Sequence, residues 1–185
     1  LELRMLPRPL RDRLAQKMDH YFSLGFRGLK VGAGSFSPQA GWYMPGEAKE
    51  AADFEADKVA FMRTHAGPDA WLMMDAHMGN SHGTPWTVEI AIAVARALEP
   101  YQLFFFEEPL HYTNPWGYAE LCRATSTPIA GGECLTAAYE WRVFAEQDSF
   151  DIAQPDASFT GGLGEFMKVA KMMADRGRQV ATHAW

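Results

Sequence analysis

A chain of 185 residues, 48 % of them apolar, is long enough to bury one sizeable core. Its net charge of −6 is spread along the chain with no basic run among aromatics, which excludes a nucleic-acid face, and no stretch reaches the roughly 20 apolar residues that a membrane span needs. Cys122 and Cys134 fit neither a zinc pattern nor a disulfide framework, and the start, which lacks both Met and the order of a signal peptide, completes the expectation of a cytoplasmic protein.

In chain order, apolar residues at helical spacing (Leu10, Leu14, Met18, Tyr21, Phe22) predict a helix over 10–24 stopped by Gly25. A strand over 26–31 follows, then a Gly-rich connection over 32–46 and a helix over 47–67. The run AWLMMD predicts the next buried strand. After it, Thr84 or Thr87 caps a helix whose apolar stripe is Val88, Ala91, Ile92, Ala95 and Leu98, and Pro100 ends it. Strands at QLFFFEEP, TPIAGGE, SFDIAQPD and RQVATH then alternate with helices at PWGYAELCRA, AAYEWRVFAEQ and LGEFMKVAKMMADRG.

Continuous apolar strands between amphipathic helices predict an α/β fold with a parallel sheet. The regular unit length favours a (β/α)8-type TIM barrel, of which this chain supplies about six strands. Residues 1–185 are therefore read as one partial barrel domain. No GxGxxG follows the first strand, so a dinucleotide fold has no support.

Three carboxylates stand at the ends of apolar runs: Asp75 after WLMM, Glu107 after LFFF and Glu133 after PIAGG. Each is about one βα unit from the next, so successive strands can bring all three to one rim. Converging carboxylates repel one another unless a hard cation neutralises them, which points to one Mg²⁺ per site. Asp156 and His183 are also one unit apart, and adjacent strands would set them side by side as a carboxylate-oriented base.

These residues sit in the segments LMMDAH, FFFEEPL, IAGGECLT, DIAQPDASFTGG, GGLGEFMKVA and VATH. Together they cover roughly residues 25 to 185, in an order that resembles the enolase superfamily, and within it the mandelate racemase and muconate lactonising branch. The resemblance implies Asp75, Glu107 and Glu133 as metal ligands, His183 with Asp156 as the catalytic dyad, and a small-molecule carboxylate as substrate. It also implies a capping domain and further strands outside these residues, and a homo-oligomer at full length.

Two positions depart from the family pattern. Of a Lys-x-Lys pair only Lys30 is kept, as a catalytic or substrate-binding cation, with Gly32 where the second base would stand. His77 follows Asp75 by two, where many relatives have Asn, a pattern similar to certain sugar-acid dehydratases; strand alternation puts it on the side of Asp75 as a catalytic and substrate-binding group. The same alternation turns Glu108 away from Glu107, giving it a supporting or substrate-binding part. His82 and His111 are either substrate contacts or solvated loop residues. Trp42, Tyr43 and Trp86 either wall the pocket or pack ordinarily, and His20 and His65 are structural.

The resulting expectation is a Mg²⁺-dependent dehydratase of an aldonic or aldaric acid. It would abstract the proton α to the carboxylate and eliminate the β-hydroxyl to a 2-keto-3-deoxy acid. The alternatives are a racemase, epimerase or cycloisomerase of the same superfamily, or a non-catalytic fragment.

Overall fold

The computed structural model of the chain describes residues 8–37, 41–79 and 86–184, with only the backbone given over 35–37 and 41–43. Helix α1 (Arg8–Ser23) leads into β1 (Gly28–Gly32). Two short strands follow, β2 (Ser35–Ser37) and β3 (Gly41–Tyr43), paired antiparallel. This hairpin lies in the segment that the glycines mark as a mere connection; Phe36, Trp42 and Tyr43 supply the aromatic β preference that the glycine count obscures.

The alternation then runs α2 (Ala48–Ala66), β4 (Trp71–Asp75), α3 (Val88–Leu98), β5 (Phe105–Glu107), α4 (Pro115–Ala124), β6 (Ile129–Gly131), α5 (Ala138–Glu146), β7 (Ile152–Ala153), α6 (Leu163–Ala174) and β8 (Gln179–Val180). Thr87 is the cap of α3, accepting from the Ile90 amide at 3.3 Å, and Asn114 caps α4 by accepting from Gly117 at 2.9 Å. A short 3₁₀ turn through Pro100 ends α3. Arg63, late in α2, donates to the carbonyls of Gly67, Pro68, Ala70, Tyr101 and Gln102, tying the helix end to the turns that enter β4 and β5.

Six strands form one open, wholly parallel sheet in the order β1, β4, β5, β6, β7, β8. Successive helices pack on one another from α1 through α6, as they must when every crossover has the same hand and all helices cover one face. This is an arc of the expected barrel.

Alternation along the strands divides the sheet. Leu72, Met74, Phe106, Ile129 and Ala153 join the main core with Val59, Met62, Val94, Leu98 and Trp141 from the helices. Met73, Phe105, Ala130, Ile152 and Ala181 make a separate apolar row. Asp75 and Glu107 lie two residues beyond Met73 and Phe105 and so share that second face. Among the described residues no helix is long and apolar enough to cross a membrane.

One buried ion pair interrupts the core side. Lys58 lies 2.7 Å from Glu55 within α2, at 2 % and 0 % exposure. Glu55 accepts from the Gly34 amide at 2.6 Å, while Lys58 donates to the carbonyls of Gly32 and Gly34 at 2.8 and 2.7 Å. Burial raises the Glu55 pKa and lowers that of Lys58, and each partner offsets part of the other's shift. The pair anchors the chain where it leaves β1.

Candidate active site

The parallel register sets Asp75 opposite Glu107, at the last residues of β4 and β5. Both are buried, at 2 % and 0 % exposure. Lys30, opposite Met73 in β1, reaches the same face and places Nζ 2.9 Å from Asp75 Oδ2 and 2.6 Å from Glu107 Oε2. Burial works against the Lys30 charge, but the hydrogen bonds and ion pairs to Glu107 and Asp75 outweigh it and raise its pKa. Glu107 is raised too, by burial first and by the Asp75 charge second, with Lys30 opposing. Lys30 is thus joined to two of the expected ligands.

Glu133 follows β6 and Asp156 follows β7. An isolated parallel bridge pairs Asp156 with His183 beyond the end of β8, bringing His183 Nδ1 to 2.9 Å from Asp156 Oδ2. His183 Nε2 lies 3.2 Å from Glu133 Oε2. The dyad therefore forms as the spacing predicts, and it abuts the third carboxylate. Asp156 Oδ1 accepts from Ser158 Oγ at 2.5 Å and from the Ser158 amide at 2.7 Å; chiefly through that hydroxyl, and then through His183, its pKa is lowered to about 2. Ser158 has no place in the sequence reading, although an Asp followed two residues on by Ser is a local turn signal.

His77 and Glu108 depart from strand alternation. Both lie just past a strand end in the left-handed region, with φ of +51° and +44°. His77 still comes to Asp75, its amide donating to Oδ1 at 3.0 Å and its Nε2 standing 3.2 Å from Oδ2, with the side chain 65 % exposed. Glu108 does not point away from the carboxylates. Its left-handed backbone turns the side chain inward, 1 % exposed, until its carboxylate stands within 4.8 Å of ligand atoms of both Glu133 and Cys134. Burial first, then the charges of Glu133, Asp75 and Glu107, push its pKa up to about 8. A side chain at Gly79 would overlap this carboxylate.

His82 lies outside the described residues, as do the side chains of Trp42 and Tyr43. Trp86 is core, 4 % exposed, with Nε1 donating to Pro45 O at 3.0 Å. His111 pairs with Thr113 Oγ1 at 2.9 Å, and His65 with Asp19 at 2.7 Å.

Asp75, Glu107 and Glu133 are donors of the kind a hard divalent ion takes, but among the described residues their ligand atoms do not all lie within 4.8 Å of one another. Asp75 and Glu107 end β4 and β5, Glu133 lies two residues past the end of β6, and among the described residues the buried Oε1 of Glu107 has no hydrogen-bond partner. Lys30 supplies only part of the positive charge that this group of acids calls for.

Comparison with known proteins gives the family and the fold. The family model described as enolase C-terminal domain-like matches residues 13–185. A 3,6-anhydro-alpha-L-galactonate cycloisomerase of Streptomyces coelicolor is 32% identical over 175 residues, covering 95% of this chain and 43% of that protein. An L-rhamnonate dehydratase of Saccharopolyspora erythraea is 32% identical over 186 residues, covering 97% and 44%. The crystal structure of an L-talarate dehydratase from a Polaromonas species, complexed with Mg and L-glucarate, superposes with a TM-score of 0.78 at 28% identity over 98% of this chain and 45% of that one. The chain spans less than half the length of these relatives.

Proposed function

Because the chain belongs to the enolase C-terminal domain-like family, we propose that it carries the acid–base and metal face of a Mg²⁺-dependent sugar-acid dehydratase. The observation that supports this best is the Asp156–His183 dyad set against Glu133, with His77 against Asp75 at the other end of the carboxylate row. Asp75, Glu107 and Glu133 would hold the ion. When bound, Mg²⁺ supplies positive charge at the substrate carboxylate, where negative charge gathers as the α proton leaves.

The protein's own groups do the rest. With the shared proton on Nδ1 of His183, Asp156 accepts it as a hydrogen bond, and Nε2, which faces Glu133 Oε2 at 3.2 Å, is the nitrogen assigned to take the α proton. The C–H electrons form the new double bond, the β C–O bond breaks, and His77 donates the proton with which the hydroxyl departs as water. The enol that remains tautomerises to the 2-keto acid. Lys30 keeps Asp75 and Glu107 together on one face.

Gly32 supports elimination over two-base racemisation, since no second base stands beside Lys30 on β1. Cycloisomerisation remains the second reading, supported by the similarity to the Streptomyces enzyme. The test incubates the full-length protein with aldonic, aldaric and anhydro-sugar acids plus Mg²⁺. Keto-acid formation from an open-chain substrate with a β-hydroxyl supports dehydration; conversion of anhydro substrates alone supports the second reading, and no turnover of any substrate in the set counts against both.

A further inference from the structure

The turn after β6 presents two neighbouring ligands of different character. The Leu135 amide donates to Gly132 O at 3.0 Å, closing a tight turn with Glu133 and Cys134 at its two central positions. Glu108 enters from the adjoining strand end. Its carboxylate, that of Glu133 and the Cys134 Sγ each place a ligand atom within 4.8 Å of the other two, and this is the one such trio among the described residues.

Glu108 points to a ligand independently of that clustering. It is 1 % exposed, and among the described residues neither carboxylate oxygen meets a hydrogen-bond partner at full bonding geometry. A buried carboxylate without partners is costly, and such groups occur where something else completes them. Lys30, the cation beside Asp75 and Glu107, is committed to those two carboxylates.

We propose that Glu108, Glu133 and Cys134 form a site for a thiophilic divalent cation of the zinc class, distinct from the all-oxygen site. One thiolate and two carboxylates suit Zn²⁺, Co²⁺ or Cd²⁺, whereas Mg²⁺ takes oxygen ligands. With metal–sulfur and metal–oxygen bonds of about 2.3 and 2.0 Å, the three ligand atoms need to draw together by only about 1 Å. Cys134 is partly exposed and gives the ion its way in. The site shares Glu133 with the proposed Mg²⁺ ligands, so a zinc-class ion would withdraw an oxygen from them. That consequence rests on the proposed function; the binding does not.

The test uses full-length protein in excess Mg²⁺ and reads binding without an activity assay. Carbamidomethylation of each cysteine is followed by peptide mass spectrometry with and without one equivalent of Zn²⁺, and Co²⁺ is titrated while the near-ultraviolet thiolate-to-metal band is recorded. Zn²⁺ should slow labelling of Cys134 by about tenfold or more. Cys122, whose thiol donates to Ser149 O at 3.2 Å in the core, serves as the internal control. The Co²⁺ band should appear in the wild type, vanish in Cys134→Ser and weaken in Glu108→Gln. Equal Cys134 labelling with and without Zn²⁺, or wild-type Co²⁺ binding without a thiolate band, overturns the proposal. Either result needs only wild-type protein, so a variant that misfolds does not obscure it.

Discussion

Lys30 Nζ lies 2.6 Å from Glu107 Oε2, two strands away across the sheet, with Asp75 between them as a second partner at 2.9 Å. A cation carried by the chain therefore already offsets part of the charge that a divalent ion would meet. Lys30→Met should lower the melting temperature of the full-length protein in chelator, and added Mg²⁺ should raise it more in the variant than in the wild type. Scanning calorimetry of both proteins, with chelator and with Mg²⁺, reads the difference. An equal Mg²⁺ response in both proteins would show that Lys30 does not share the site's charge.

The dyad has a definite acid limit. The folded pKa of Asp156 is depressed to about 2, chiefly by the Ser158 hydroxyl, against an ordinary value of 3.8. A depressed carboxylate contributes stability that is present above the unfolded value and is lost as pH falls from about 4 towards about 2. Ser158→Ala should move the acid-unfolding midpoint upward, as followed by circular dichroism, while stability at pH 7 also falls. Because the hydroxyl touches only the carboxylate's outer oxygen, Asp156 should remain bonded to His183 in the variant.

His183→Asn should reduce turnover of the full-length enzyme by about 10²–10⁴-fold, the usual worth of a general base, and leave Mg²⁺ affinity within about threefold. Comparing kcat with calorimetric Mg²⁺ binding separates the two effects. Undiminished turnover in this variant would remove His183 from the reaction.

Gly132 combines a φ of +105° with a site where an added Cβ would overlap the buried Trp141 ring. Both strain and overpacking follow from Gly132→Ala, for a loss of about 2–5 kcal/mol in urea unfolding. The substitution also displaces the neighbouring Glu133, so Mg²⁺ binding should weaken in whatever protein still folds.

Lys58→Met strands Glu55 without its partner at 0 % exposure and should cost about 3–5 kcal/mol. Adding Glu55→Leu removes the uncompensated carboxylate, and the double variant should recover much of that loss. A double variant no more stable than the single one would mean that the Gly32 and Gly34 hydrogen bonds, not the charge pairing, dominate.

The sequence made the strand–helix alternation legible because each buried strand is a continuous apolar run ending in a polar residue, as in WLMMD and LFFFE. The same pattern located Asp75 and Glu107, and the unit spacing paired Asp156 with His183. Alternation failed at Glu108, because the rule holds only inside a strand and β5 ends at Glu107. It reached the right neighbour for His77 by a route the backbone does not take. The Glu55–Lys58 pair was illegible for a different reason: two charges three apart on a helix read as a solvated surface pair until tertiary packing closes over them. The spacing of Cys134 fits no zinc pattern, and its nearness to Glu108 and Glu133 arises only in the fold.

The sheet's two faces divide labour between persistence and change. The side chains that hold the helices belong to one set of positions, and those proposed to handle substrate belong to strand ends and the residues just beyond. A substitution at Leu72, Phe106 or Trp141 strikes the packing between sheet and helices, whereas one at His77 leaves that packing untouched.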